Sequence, residues 1–140
     1  MKKKTVFFLL TLLLAGLCLT GCKGSKLPEG MNMDAMMERG EELITLLNED
    51  EWQTVYDQLR EDGKETTSVE QIKVCFKGVT SKAGAYVRTE DTLTTGQKIE
   101  DTGEQYGTAV FYCKHEKDDV VYRFAFSTEM ELMGFQVSKK

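Results

Sequence analysis

The amino-acid sequence predicts an α+β domain in which N-terminal helices pack on one face of a curved antiparallel sheet of about four strands. Three observations predict it. Up to Gly84, apolar residues recur at gaps of three and four, the period of amphipathic helices. After Gly84, aromatic and β-branched residues interleave with polar ones, as in half-buried strands. The links between the last three apolar runs are only a few residues long, and such short links make antiparallel hairpins.

The first helix runs from Asn32 to Leu47, with Met33, Met36, Met37, Leu43, Ile44, Leu46 and Leu47 as its stripe and Asn32 or Asp34 as its cap. These methionines read as core filling rather than as an adaptable binding surface. Asn48-Glu49-Asp50 breaks the pattern. A second helix is expected from Asp50, with Gln53 completing a capping box, through Trp52, Val55, Tyr56 and Leu59 to a stop at Asp62-Gly63. Thr67-Ser68 opens a third, whose stripe is Val69, Ile72, Cys75, Phe76, Val79 and Ala83, and Gly84 ends it.

From Tyr86 to Ile99 the residues predict one long bulged strand or two short ones. Thr108–Glu116, Val120–Ser127 and Leu132–Ser138 predict three more. A two-residue loop at Lys117-Asp118 sets Cys113 opposite Tyr122, Phe111 opposite Phe124 and Ala109 opposite Phe126. A second at Thr128-Glu129 sets Phe124 opposite Met133, Tyr122 opposite Phe135 and Val120 opposite Val137. All of these then share one face, which belongs against the helices. Tyr112, Lys114, Arg123, Gly134 and Gln136 make the other, wettable face.

Residues 1–30 read as a targeting device. Met1-Lys2-Lys3-Lys4 precedes an apolar run from Val6 to Leu19, which is too short to span a bilayer comfortably and has the layout of a secretory signal peptide. The run ends in Leu19-Thr20-Gly21-Cys22, which resembles the lipobox of bacterial lipoproteins. The resemblance implies that 1–21 is a signal peptide, that cleavage falls before Cys22, and that the Cys22 sulfur carries lipid. That lipid would be the link to the membrane on its extracytoplasmic side. Residues 22–30 would then be the lipidated Cys and a flexible tether, and 31–140 a single α+β domain. Loss of Lys2, Lys3 and Lys4 takes the formal net charge from −5 to −8, so the acidic body is expected to stand off anionic headgroups.

The helix order, the four-strand sheet and the terminal Met133-Gly134-Phe135-Gln136-Val137 are similar to a family of small bacterial secreted domains of unknown function, many of them Gram-positive lipoproteins. Leu43–Trp52 and the Ser68–Gly84 helix are the other landmarks. The resemblance implies a cystatin-like cone of the nuclear transport factor 2-like kind. It brings no activity and no catalytic residues.

Little else in the chain carries chemistry. With 18 Lys+Arg against 23 Asp+Glu, no nucleic-acid partner is expected. No phosphate loop, nucleophile elbow, zinc set or calcium loop occurs, and neither cofactor nor metal is expected. Cys75 and Cys113 both fall on helix-facing positions. They are either a disulfide, closing a loop of about 38 residues, or two buried thiols. His115 shares a face with Cys113 but lies about 6.6 Å along the strand near a hairpin end, and reads as a solvated histidine. Trp52, Tyr86, Tyr122, Phe124 and Phe126 are the candidates to line a pocket in the cone, against a reading in which they fill the core. The reading that follows is a lipid-anchored extracytoplasmic module without catalytic residues that binds an unknown protein, peptide or small apolar ligand. The alternatives are a small hydrolase or isomerase using a pocket carboxylate, and a purely structural envelope lipoprotein.

Overall fold

The computed structural model describes residues 26–140. Four helices, α1 (Met33–Asn48), α2 (Trp52–Asp57), α3 (Glu61–Thr66) and α4 (Val69–Ala83), precede four strands, β1 (Tyr86–Lys98), β2 (Gln105–His115), β3 (Asp119–Ser127) and β4 (Leu132–Lys139). The strands form one antiparallel sheet in the order β1-β2-β3-β4. The result is the expected α+β arrangement, consistent with a cystatin-like or nuclear transport factor 2-like cone.

Local chemistry accounts for the helix ends. Asn32 caps α1 by accepting from the Ala35 amide at 3.1 Å, and Ser68 caps α4 by accepting from Gln71 at 3.2 Å. The expected single helix through Leu59 is two short ones instead. Leu59 bridges to Leu132, and the Arg60 amide donates to the Leu132 carbonyl at 2.8 Å, so the edge of β4 recruits the chain and breaks the helix. Asp50 is not the cap of α2; it takes positive φ (63°), and Glu51 precedes the helix without a side-chain bond to its amides. Gly63 does not terminate a helix either. It is buried within α3, where a Cβ would lie 2.8 Å from the Met133 carbonyl oxygen.

In the sheet the expected partition of faces holds except at Met133, but the register moves. Cys113 faces Val120, Phe111 faces Tyr122 and Ala109 faces Phe124, because the tight turn is Glu116-Lys117 rather than Lys117-Asp118. A shift of two leaves every side chain on its original face. On β4, Phe124 faces Phe135 and Tyr122 faces Val137. An irregularity between Ala125 and Phe126 then turns Leu132, not Met133, into the core. β1 is one long strand with register shifts at Tyr86/Arg88 and Thr89/Asp91.

The core lies between the sheet and α1, α2 and α4. Met36, Leu43, Leu47, Val55, Phe111, Val120, Tyr122, Phe124, Phe126 and Leu132 are each 0% exposed. Of the stretch expected to be a spacer, Lys26 and Leu27 lie docked. Leu27 packs on the core, and the Lys26 carbonyl occupies the space that a Cβ on Gly96 would need. A Cβ on Gly107, the β2 partner of Gly96, would fall 2.9 Å from Met31 and Met36 and 3.0 Å from Leu27. The paired glycines thus form a slot that the chain entering α1 fills.

Candidate functional site

Asn48, Tyr122 and His115 meet where β2, β3, the end of α1 and the α4–β1 turn come together. Gly84 ends α4 with φ 81°, and the turn after it folds over the β2–β3 hairpin. The Glu116 amide donates to the Ala85 carbonyl at 2.9 Å, the Lys117 amide donates to that of Ala83 at 2.8 Å, and the Ala85 amide donates to Glu116 Oε1 at 2.8 Å. This cover places His115 out of water, at 1% exposure, contrary to the solvated position expected for it.

His115 Nδ1 lies 2.8 Å from the Gly84 carbonyl oxygen, which can only accept, so Nδ1 carries the hydrogen. In the neutral ring Nε2 is then an acceptor, 2.9 Å from the Tyr122 hydroxyl, which donates to it. Asn48 Nδ2 donates to the Tyr122 oxygen at 3.2 Å and to the Ile44 carbonyl at 2.8 Å. The donors therefore run one way, from Asn48 through Tyr122 and His115 to Gly84, and each buried polar atom in the line has a partner. Burial pushes the Tyr122 hydroxyl well above the usual tyrosine range, against the opposing Asn48 bond. Tyr122 is thus a proton-bearing donor at neutral pH.

Beside this chain, Tyr86 packs edge-on to the His115 ring with centroids 5.8 Å apart. Its hydroxyl meets Thr89 Oγ1 at 2.9 Å, and that oxygen reaches Cys113 Sγ at 3.5 Å. Burial raises the Cys113 thiol to about 11, only partly offset by Thr89, so it is neither a thiolate nor a nucleophile near neutrality. Cys75, expected on the inner stripe of its helix, is exposed. The stripe runs through Ile72, Phe76 and Ala83, and both cysteines are free. The structure does not join them in the disulfide that the sequence left open.

The five candidate pocket residues divide in the same way. Tyr122, Phe124 and Phe126 are 0% exposed and belong to the core, while Trp52 and Tyr86 are half-buried against it. Trp52 packs on Phe76 (5.4 Å), Phe76 on Tyr122 (6.4 Å) and Tyr122 on Phe124 (6.5 Å), an array of contiguous rings. Phe126 lies under the Arg39 guanidinium at 5.6 Å.

The other end of the helix–sheet interface carries charge. Arg60 donates to Asp62 through Nε (2.8 Å) and Nη2 (2.7 Å) and to Glu104 through Nη1 (2.8 Å) and Nη2 (3.1 Å), tying the start of α3 to the β1–β2 hairpin. The Arg60 hydrogen bonds hold the Asp62 carboxyl below its usual range, which is the opposite of the raised carboxyl a general acid needs. Sequence reading missed this clasp, since nothing in the local pattern links residues 60 and 104. Among the described residues no group of three or more His, Cys, Asp or Glu is arranged to hold a metal ion, and no helix is long and apolar enough to cross a membrane. Cys22 and the signal-peptide reading of residues 1–21 lie outside the described residues.

Residues 40–135 match the model of a family described as protein of unknown function (DUF3887). The chain belongs to the DUF3887 family. A solved structure described as the NMR structure of a protein from Ruminococcus gnavus ATCC 29149 superposes on it with a TM-score of 0.67. That likeness covers 81% of this chain and 96% of the other, at 22% sequence identity, and so speaks for the shared fold. No curated protein matches the chain. The matched span of the DUF3887 model includes α4, β1, β2 and β3 whole, and with them His115, Tyr122 and Cys113.

Proposed function

We propose that this DUF3887 member is a lipid-anchored, extracytoplasmic interaction module that binds its partner with its surface and catalyses no reaction. The observation that carries the reading is the state of the interior. His115, Tyr122 and the buried Cys113 thiol are bonded, protonated or packed, which leaves no free nucleophile or base among these three. Large apolar side chains at the surface suit a binding role. Val74 is 60% exposed on α4, Val87 and Leu93 are 46% and 40% exposed on β1, and Met33 is 55% exposed on α1. The anchor rests on Leu19-Thr20-Gly21-Cys22 at the end of the apolar leader.

The test has two parts. Cells fed a clickable fatty acid should label the wild-type protein and not Cys22→Ser, and the variant should leave the membrane fraction. Photo-cross-linking from position 74 in intact envelopes should yield a discrete adduct that a probe at buried position 124 does not. Turnover of a substrate by the soluble body, with no adduct from any surface position, would favour the hydrolase or isomerase reading instead.

A further inference from the structure

We propose that the body is held close against the bilayer on a leash of four residues, with the Gly96 corner of β1 nearest the lipid. This rests on the reading of Cys22 as the lipidated residue. As a sequence, residues 23–30 suggest a loose spacer that would let an acidic body drift away from the membrane. The docked stretch rules out most of that length. Lys26 is already fixed, its carbonyl against Gly96, with Leu27 and Met31 over Gly107 and the Met31 amide donating to the Pro28 carbonyl at 3.2 Å. A side chain at Gly96 would collide with the backbone of Lys26 and Leu27 and push the chain out of its slot, whereas one at Gly107 would meet only the flexible ends of Leu27, Met31 and Met36, so the docking is built into β1 at Gly96.

Whatever path residues 22–25 take, the chain from Cys22 to Lys26 spans at most about 14 Å. The acylated sulfur must sit at the interface, so Lys26 and the Thr94–Lys98 segment of β1 stay within roughly that distance of it. The far end of the sheet, at Tyr86, His115 and the Glu116-Lys117 turn, lies about 30 Å away along the strands. Charge near the leash does not decide the matter. Lys23, Lys26 and Lys98 are there, but so are Glu29, Glu100 and Asp101. The helical layer is one-sided, however. Residues 29–83 hold 13 of the 23 acidic residues against six basic ones, whereas residues 84–140 hold ten against seven, so an anionic bilayer repels the helical layer more strongly and leaves the β1 side facing it.

The test uses the full lipidated protein, extracted from membranes and placed in phosphatidylglycerol–phosphatidylethanolamine vesicles containing a headgroup-nitroxide lipid. In a Cys75→Ser background, a fluorophore is attached at Lys98→Cys or at Lys117→Cys, both exposed positions. Quenching at position 98 should exceed that at 117 by at least about threefold, and twelve Gly/Ser residues inserted between Cys22 and Lys26 should bring the two level. Equal quenching in the natural-length protein, or no response to the insertion, overturns the leash while leaving the anchor standing. Mass spectrometry showing an unmodified Cys22 overturns the anchor and the leash together.

Discussion

The two ends of the helix–sheet interface are closed by opposite chemistry. Where the α4–β1 turn covers the β2–β3 hairpin, the closure is a neutral, one-way chain of hydrogen bonds through buried His115 and Tyr122. Where α3 meets the β1–β2 hairpin, it is an ionic clasp, Arg60 between Asp62 and Glu104, with side chains 19%, 62% and 37% exposed. The neutral end cannot trade its partners for water, so its strength lies in what is lost when one is removed. The ionic end keeps water as an alternative and responds to salt and pH. The difference teaches that a polar cluster at a helix–sheet seam is not in itself a sign of catalysis. Each member must first be shown to lack a partner.

The sharpest contrast is in thiol reactivity. In native protein at pH 8, Cys75 should react with iodoacetamide and Cys113 should stay unmodified, at least about a hundredfold slower. With its thiol raised to about 11, only roughly one molecule in a thousand is thiolate at that pH. Peptide mass mapping checks this, and comparable labelling of both cysteines would open the neutral end to solvent. The next largest effect is on stability. Tyr122→Phe removes the donor to His115 Nε2 and should cost about 1–3 kcal/mol in urea unfolding, the same at low and high salt. Arg60→Ala should cost about 1 kcal/mol or less, and that cost should shrink in 1 M salt. Equal salt sensitivity in the two variants would erase the comparison.

The smallest effect is in acid. Because the Asp62 carboxyl is depressed in the folded state, its contribution is complete above the unfolded value of about 3.9 and is lost as pH falls below it. The stability gap between wild type and Asp62→Asn should therefore be flat from pH 7 to about pH 4 and close below that. A gap that closes already between pH 7 and 5 would contradict this.

Much of the fold was legible because face assignment survives errors of register. The turn was expected one residue late, which moves the pairing by two and keeps Phe111, Cys113, Tyr122 and Phe124 on the inner face. His115 was legible by the same parity, being two residues beyond Cys113. Its burial was not, since the cover comes from Gly84 and Ala85, 31 and 30 positions earlier in the chain. Cys75 failed for the opposite reason. It sits between Ile72 and Phe76 on α4, and a period of three to four does not say which neighbour of a buried position lies just outside the stripe. The break of the second helix at Leu59–Arg60 depends on a carbonyl of β4, and the docking of Leu27 depends on two glycines facing each other across strands. Neither is a local property. The clasp at Arg60 likewise joins groups 44 residues apart.

The central claim is that the interior polar chain is closed and directed, and it can be read from one nucleus. His115 is the only histidine of the chain, so a long-range proton–nitrogen correlation spectrum reports its tautomer without assignment. The hydrogen bonds to Gly84 and Tyr122 place the hydrogen of the neutral ring on Nδ1, with Nε2 showing the shift of an unprotonated, hydrogen-bonded nitrogen. The opposite neutral tautomer, with the hydrogen on Nε2 alone, would leave the Gly84 carbonyl without its donor and Tyr122 without its acceptor, and would contradict that direction.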